Sequence, residues 1–306
     1  MIAMTTNQAP PRPSDRILVL LAALLFSTGG AAVKACALTG WQVAAFRSGI
    51  AAVAIFIMLP ATRRAWSPRL LPVATAYAAT MILYVLGNKL TTAANTIFLQ
   101  STAPLYIMLL GPLLLGEKIR RRDLIFAATL ALGMAFFFTG DQPASVTAAQ
   151  PVLGNLLAGC AGFSWALTIM GLRWLGRTSG SERDESAAAV AWGNALAFIV
   201  ALPFALPVTS STTTDWALVA FLGVFQIAVA YVFLTRGVRR VPALEVSLLL
   251  LLEPVLNPVW ALIFHGEKPT PWAAFGGAVI ILATAIYTLT APRTPPTANQ
   301  TSNANR

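Results

Sequence analysis

Apolar runs about 20 residues long set what this chain can fold into. Ten of them follow one another, separated by short polar segments, at approximately residues 17–38, 41–60, 70–88, 93–115, 123–140, 152–174, 187–207, 215–236, 243–264 and 271–290. A helix of about 20 apolar residues crosses the roughly 30 Å hydrocarbon core of a bilayer. Because these runs are apolar on nearly all sides, they lack the charged face of a helix in a water-soluble protein. The sequence therefore predicts an all-α membrane protein with ten transmembrane helices.

Positively charged residues are distributed unevenly between the two predicted sides of the membrane. Most of the 21 Lys and Arg residues lie at the N-terminus, in the even-numbered loops and in the C-terminal tail. Because loops rich in Lys and Arg stay in the cytoplasm, both termini are predicted to be cytoplasmic. The same bias accounts for the net charge of +10, and we expect no nucleic-acid partner.

A sequence pattern recurs 150 positions apart. Pro104 is followed twelve residues later by Gly-Glu-Lys at 116–118, and Pro254 by Gly-Glu-Lys at 266–268. Such a repeat indicates two copies of one structural unit. With five helices in each copy, the second must be inverted relative to the first. The predicted organisation is a disordered cytoplasmic N-terminus at 1–16, a first five-helix repeat at 17–140, a linker at 141–151, a second five-helix repeat at 152–290 and a disordered cytoplasmic tail at 291–306.

These motifs resemble those of the drug/metabolite transporter superfamily and its EamA-type exporters. The second copy has the fuller motif, Leu252-Glu253-Pro254, whereas the first has Ala103 at the position of Glu253. Arg47, early in the second run, is similar to a basic residue that this family often has there. The resemblance implies a secondary transporter in the bacterial inner membrane, with an amino acid, another metabolite or a drug as its cargo.

The two prolines and the acidic residue beside one of them are candidates for helix interruption or coupling. Pro104 and Pro254 each remove a helical hydrogen bond, leaving the carbonyls of Gln100 and Leu250 without partners. Paired interruptions of this kind point to a central site in a transporter, although neighbouring helices can also satisfy such a kink. A charged Glu253 at this depth in the membrane costs free energy. It could bind a substrate amine, carry a proton or cap the broken backbone.

Uncharged polar and aromatic residues are the candidates for substrate binding. Tyr77, Met81 and Tyr84 share one face of the third helix, although each could equally serve in helix packing. The full set of candidates is Tyr77, Met81, Tyr84, Gln100, Trp165 and Gln226. Lys34 and Arg47 are predicted at the outer mouth, either extending to the membrane interface or forming an electrostatic ring. A cavity of this kind suits neutral or zwitterionic cargo.

Residues for catalysis or metal binding are sparse in this sequence. His265 is the single histidine, and Cys36 and Cys160 lie in separate apolar runs. We therefore predict no enzymatic activity, no metal and no cofactor. The predicted function is export of amino acids, with aromatic or other apolar ones as candidates, by alternating access; the alternative is export of other small metabolites or drugs. The expected partners are the small-molecule substrate and the lipid bilayer, and the oligomeric state stays open.

Overall fold

Helices make up most of the part of the chain that the structure describes. The computed structural model describes residues 13–115, 121–139, 148–178, 185–237 and 249–289. The predicted Gly-Glu-Lys motif at 116–118, most of the linker at 141–151 and the two terminal segments lie largely or wholly outside these ranges.

The helices of the first half follow the predicted apolar runs with two interruptions. They are α1 (Pro13–Ser27), α2 (Gly29–Ala35), α3 (Gly40–Met58), α4 (Ala61–Arg64), α5 (Leu70–Leu90), α6 (Ala93–Gln100), α7 (Ala103–Leu115) and α8 (Arg121–Ala135), which continues as a 3-10 turn at Phe136–Phe138. Threonine side chains define two of the helix starts. Thr39 accepts a hydrogen bond from the backbone N–H of Gln42, and Thr92 caps α6 in the same way.

The second half contains the longest helix and a π-helical segment. Its elements are α9 (Pro151–Thr178), α10 (Glu185–Ala205), α11 (Thr213–Phe221), the π segment (Leu222–Val229), α12 (Ala230–Gly237), α13 (Leu252–His265) and α14 (Pro271–Leu289). Thr212 and Asp215 form a reciprocal capping box that starts α11. Gly266, with a φ of 63°, ends α13 in the left-handed conformation that favours glycine.

Six helical stretches are long and apolar enough to cross a membrane. They are Pro13–Ala35, Gly40–Met58, Leu70–Leu90, Pro151–Leu172, Glu185–Ala205 and Thr213–Leu234, and Leu124–Ala135 and Pro271–Tyr287 are shorter apolar helices. The chain is thus an all-α membrane protein. The count of ten crossings stays a prediction, because the fourth run is divided into α6 and α7 and the start of the ninth lies outside the described residues.

The helix interruptions lie next to the two prolines of the repeat. Helix α6 ends at Gln100, and α7 begins at Ala103, one residue before Pro104. In the second half a turn at Leu251 precedes α13, which begins two residues before Pro254. A further turn at Thr28 separates α1 from α2.

Helix contacts between the two halves occur in matching pairs. Helix α5 packs on α9, and α12 packs on α1; α6 packs on α9, and α13 packs on α1. Similarly, α10 packs on α5 while α3 packs on the π segment. Two further contacts, α3–α10 and α8–α14, each join helices at equivalent positions in the two halves. If the first five apolar runs are exchanged, in order, for the last five, one contact of each pair becomes the other.

Small residues on α9 allow it to approach the backbone of α5 and α6 closely. A Cβ atom on Gly154 would lie 2.5 Å from the backbone nitrogen of Thr91, and one on Gly162 would lie 2.9 Å from the carbonyl oxygen of Leu99. Ala158, between them, is fully buried. The stripe therefore serves close helix packing, as small residues do in membrane bundles.

We predict that Gly154→Ala destabilises the protein by about 2 kcal/mol, because the added methyl group meets backbone that cannot rotate away. Gly159→Ala on the same helix is the matched control, since its Cβ would have no atom within 4 Å. Thermal unfolding of both variants in detergent measures the difference. Equal melting temperatures for wild type and Gly154→Ala would contradict the close approach.

Candidate functional site

Arg47 lies in the interior of the bundle. Its side chain is 1% exposed, and it sits about 10 Å along α3 from the start of that helix at Gly40. Its Nη2 donates a hydrogen bond of 3.1 Å to the backbone carbonyl of Met81 on α5 and lies 3.7 Å from the sulfur of the same residue. The structure thus separates Arg47 from Lys34, with which the sequence grouped it at the outer mouth.

Two tyrosines of α5 connect Arg47 to other helices. The guanidinium carbon of Arg47 lies 5.8 Å from the ring centroid of Tyr84. Asn257 on α13 donates a hydrogen bond of 3.4 Å to the Tyr84 hydroxyl, and Asn194 on α10 donates one of 3.1 Å to the Tyr77 hydroxyl. Tyr77 and Tyr84 therefore join four helices, α3, α5, α10 and α13, around one buried region.

Tyr231 on α12 extends this region toward α1. Its ring centroid lies 5.9 Å from that of Tyr77 and 5.3 Å from that of Phe26. Both Arg47 and Glu253 act electrostatically on Tyr231 and on Tyr84. Tyr84 and Tyr231 are therefore electrostatic neighbours of both Arg47 and Glu253. We call Arg47, Tyr77, Met81, Tyr84, Asn194, Tyr231, Glu253 and Asn257 the central polar cluster.

Two glycines of α2 bring the backbone against amide side chains at the edge of this cluster. A Cβ on Gly29 would lie 2.9 Å from the amide nitrogen of Gln226 in the π segment, and one on Gly30 would collide with the amide of Asn257. Any larger residue at either position would displace these amides. The short helix α2 therefore holds Gln226 and Asn257 close to the central polar cluster.

Several buried polar atoms here lack a hydrogen-bond partner among the described residues. They are the Nε of Arg47, the Oδ1 of Asn194, the Oε1 of Gln226 and the Oδ1 of Asn257. Each such atom is costly in an apolar interior. Four of the thirteen such atoms among the described residues lie here, so a polar solute at this place would find unused donors and acceptors.

A second group of contacts closes one end of the bundle. The Nζ of Lys34 lies 3.8 Å from Oε1 of Glu267 and donates a hydrogen bond of 2.5 Å to the carbonyl of Thr91. The other carboxylate oxygen of Glu267 accepts a hydrogen bond of 3.0 Å from the backbone N–H of Ala93. Both charged side chains are almost fully buried. The second Gly-Glu-Lys motif thus ends α13 and binds the first turn of α6.

Further polar contacts join the same helix ends. Lys89 donates a hydrogen bond to the carbonyl of Cys36, and Asp215 accepts one of 2.6 Å from the N–H of Ala37. The ring of His265 lies 2.9 Å from the carbonyl of Ala31, to which it is hydrogen-bonded. We call this region, residues 31–37, 89–93, 215 and 265–267, the Lys34 end. These contacts hold α2, α5, α6, α11 and α13 together.

With this geometry established, similarity to known proteins identifies the family. Residues 16–139 and 152–289 both match the EamA-like transporter family. The chain belongs to this family. The family is matched once in each half of the chain, so the fold contains two repeats, and membership assigns the chain to transporters.

Relatives of this EamA-family protein include bacterial exporters. The pseudopaline exporter CntI of Pseudomonas aeruginosa strain UCBPP-PA14 is 27% identical over 279 residues, which cover 88% of this chain and 94% of that protein. The threonine/homoserine exporter RhtA of Escherichia coli K12 is 27% identical over 185 residues, covering 59% of this chain and 60% of that protein. A solved crystal structure with 21% sequence identity has a TM-score of 0.61 and covers 91% of this chain and 97% of that chain. That structure shares the fold.

The residues expected to bind substrate fall into two groups in this EamA-family fold. Tyr77, Met81 and Tyr84 lie in the central polar cluster, and Gln226 lies at its edge. Gln100 ends α6, where its backbone lies against Gly162 of α9. Trp165 packs against the large apolar core, of which Tyr77, Met81 and Tyr84 are themselves members. Among the described residues, no hydrogen bond or ring contact joins Gln100 or Trp165 to the cluster.

Three cluster residues were absent from the candidates chosen from the sequence. Asn194, Tyr231 and Asn257 are polar side chains inside apolar runs, and Asn194 and Asn257 are fully buried. Polar residues within membrane spans mark functional positions more often than other residues do. Applying that rule to amides as strictly as to charges would have found both asparagines.

We predict that the Lys34–Glu267 ion pair stabilises the closed end. Lys34→Met and Glu267→Gln should each lower stability by about 3 kcal/mol, because each leaves one buried charge without its partner. The double variant should lose less than the sum of the two.

Thermal unfolding of the single and double variants in detergent measures this coupling. Lys268→Gln is the control, since Lys268 adjoins Glu267 in the motif but is exposed. Strictly additive losses would show that the two side chains do not interact.

Proposed function

We propose that this chain is a secondary transporter that exports amino acids from the bacterial cytoplasm by alternating access. The observation that carries the proposal is the central polar cluster, which places tyrosine and amide side chains beside one buried cation and one carboxyl group. Groups of this kind hydrogen-bond small polar solutes and stack against apolar side chains. The similarity to a threonine/homoserine exporter supports an amino acid as the cargo.

The proposed architecture is ten crossings in two inverted repeats, at 17–140 and 152–290. Matching helix contacts between the halves support a twofold relation between the repeats. In this arrangement α6–α7 and α13 enter the membrane from opposite sides, and the interruption beside Pro254 lies next to Glu253 of the central polar cluster. Rocking of one half against the other then exposes the cluster to each side in turn.

The proposed orientation places both termini in the cytoplasm and the Lys34 end outside the inner membrane. The distribution of Lys and Arg supports it. With that orientation the closed Lys34 end corresponds to a state that is shut toward the exterior. Lys34 belongs to this outer closure, whereas Arg47 belongs to the site.

Export of another small metabolite is the second candidate. The similarity to a pseudopaline exporter extends over 88% of this chain, compared with 59% for the threonine/homoserine exporter. Both candidates use the same cluster, and they differ only in which solute it accepts.

We expect purified protein in proteoliposomes to catalyse counterflow of at least one labelled amino acid from a panel of L-phenylalanine, L-tyrosine, L-leucine and L-threonine. Uptake of label should depend on unlabelled amino acid trapped inside. Liposomes without protein and the Gly159→Ala variant are the controls. Absence of counterflow across the whole panel would reject the amino-acid proposal and leave the metabolite alternative.

Glu253 is proposed to take part in coupling, because it is a carboxyl group beside the interruption at Pro254. Glu253→Gln should abolish uptake driven by an imposed proton gradient while leaving counterflow, which requires no net proton movement. Measuring both modes with and without a proton ionophore separates coupling from substrate binding. Loss of counterflow as well would assign Glu253 to the substrate, and full retention of both modes would exclude either role.

A further inference from the structure

We propose that the guanidinium group of Arg47 binds the carboxylate of the transported solute, which makes a carboxylate-bearing amino compound the substrate class of the central polar cluster. The proposal rests on the proposed transport function of this cluster and names the chemical group that it recognises. Arg47 thereby moves from a charge at the outer mouth to the substrate-orienting residue.

The first argument is the unsatisfied bonding capacity of Arg47. An arginine has five N–H donors in a planar fork that fits a carboxylate. Here Nη2 contacts the carbonyl and the sulfur of Met81, while the buried Nε has no partner among the described residues. The Arg47 fork thus retains donors for a further acceptor.

The second argument is the lack of a neutralising side chain within the described ranges. No carboxylate of the described residues lies within ion-pair distance of Arg47. Its electrostatic neighbours are instead the hydroxyl groups of Tyr77, Tyr84 and Tyr231. A cation buried in this way is expensive without a counter-charge, and a solute carboxylate supplies one.

The third argument is the position of the opposite charge. Glu253 lies about 18 Å along α13 from the end of that helix at His265, and Arg47 lies about 10 Å from the same end of the bundle. The two groups are therefore displaced by roughly 8 Å along the bundle. Glu253 therefore lies at a different depth from Arg47 and does not neutralise it. The hydroxyl groups of Tyr84 and Tyr231 are electrostatic neighbours of both charges.

The fourth argument is the set of acceptors beside Arg47. The free oxygens of Asn194, Asn257 and Gln226 are acceptors that fit the ammonium group of the same solute. These oxygens and the guanidinium of Arg47 would bind opposite ends of the same amino acid.

The experiment compares matched solutes that differ either at the carboxylate or at the amine. Counterflow of the labelled panel amino acids is measured against unlabelled competitors: each free amino acid, its carboxamide and its N-acetyl derivative. In the wild type the carboxamide should compete at least about tenfold more weakly than the free acid, as expected for the loss of one charge-assisted contact. In Arg47→Gln the preference should disappear, and Arg47→Lys should restore part of it.

Binding is measured in parallel, so that the outcome does not depend on transport. The same solutes, together with benzoate and 3-phenylpropionate, are tested for their effect on the melting temperature of the purified protein. A rise with carboxylates but not with amides, seen in wild type and absent from Arg47→Gln, supports the proposal. Size-exclusion chromatography establishes that each variant is folded. If Arg47→Gln does not fold, Arg47→Lys is used in its place.

Failure of this proposal differs from failure of the transport proposal. Counterflow by the wild type with an undiminished acid preference in folded Arg47→Gln overturns the role of Arg47 and leaves amino-acid export intact. Absence of counterflow with an Arg47-dependent response to carboxylates rejects amino-acid export and leaves the carboxylate site. If no carboxylate is distinguished from its amide in either measurement, the carboxylate site is overturned.

Discussion

Every backbone polar group inside a bilayer has to find a partner within the protein, and the rest of this structure depends on that constraint. Unbroken helices satisfy it automatically. At the interruptions the backbone N–H groups of Thr28, Ser101 and Thr102 still bond to the carbonyls of Leu25, Ile97 and Leu99. The hydroxyl groups of the same three residues donate a second hydrogen bond to those carbonyls. The chain therefore bends at these positions while these carbonyls stay paired.

The same constraint explains the contact between Arg47 and α5. The carbonyl of Met81 accepts a hydrogen bond from a guanidinium rather than only from its own helix. A side chain with several donors can thus join two helices at one point, and its charge is partly offset by tyrosine hydroxyls. Gly223 in the π segment contributes to the close contact between helices here, since a Cβ there would lie 2.8 Å from the carbonyl oxygen of Arg47. The backbone of α3 can therefore approach the π segment closely beside Arg47.

The sequence predicts the spans better than it predicts the site. Helix lengths and the division of the fourth run follow from apolar runs and from Pro104, because both are local effects. The grouping of Tyr77, Met81 and Tyr84 follows from helical spacing for the same reason. The depth of a side chain in the bundle is not a local property of the sequence. Lys34 and Arg47 both occur as single charges within apolar runs. Only contacts with neighbouring helices show that Lys34 belongs to the Lys34 end and Arg47 to the interior of the bundle. The sequence also could not show that the backbone of Gln100 lies against Gly162 of α9, because that contact joins two separate apolar runs.

The two halves share a scaffold and differ in chemistry at matched positions. Ala103, which precedes Pro104, is buried, and Glu253 stands at the same place before Pro254. A repeat pair with identical residues would surround its solute with the same groups on both sides. Here one side presents a carboxyl group from α13, and the guanidinium comes from α3 of the other half. The cation and the carboxyl group therefore lie on helices of different halves and at different depths. In the proposed mechanism the shared scaffold provides the movement, and these departures from symmetry provide the recognition.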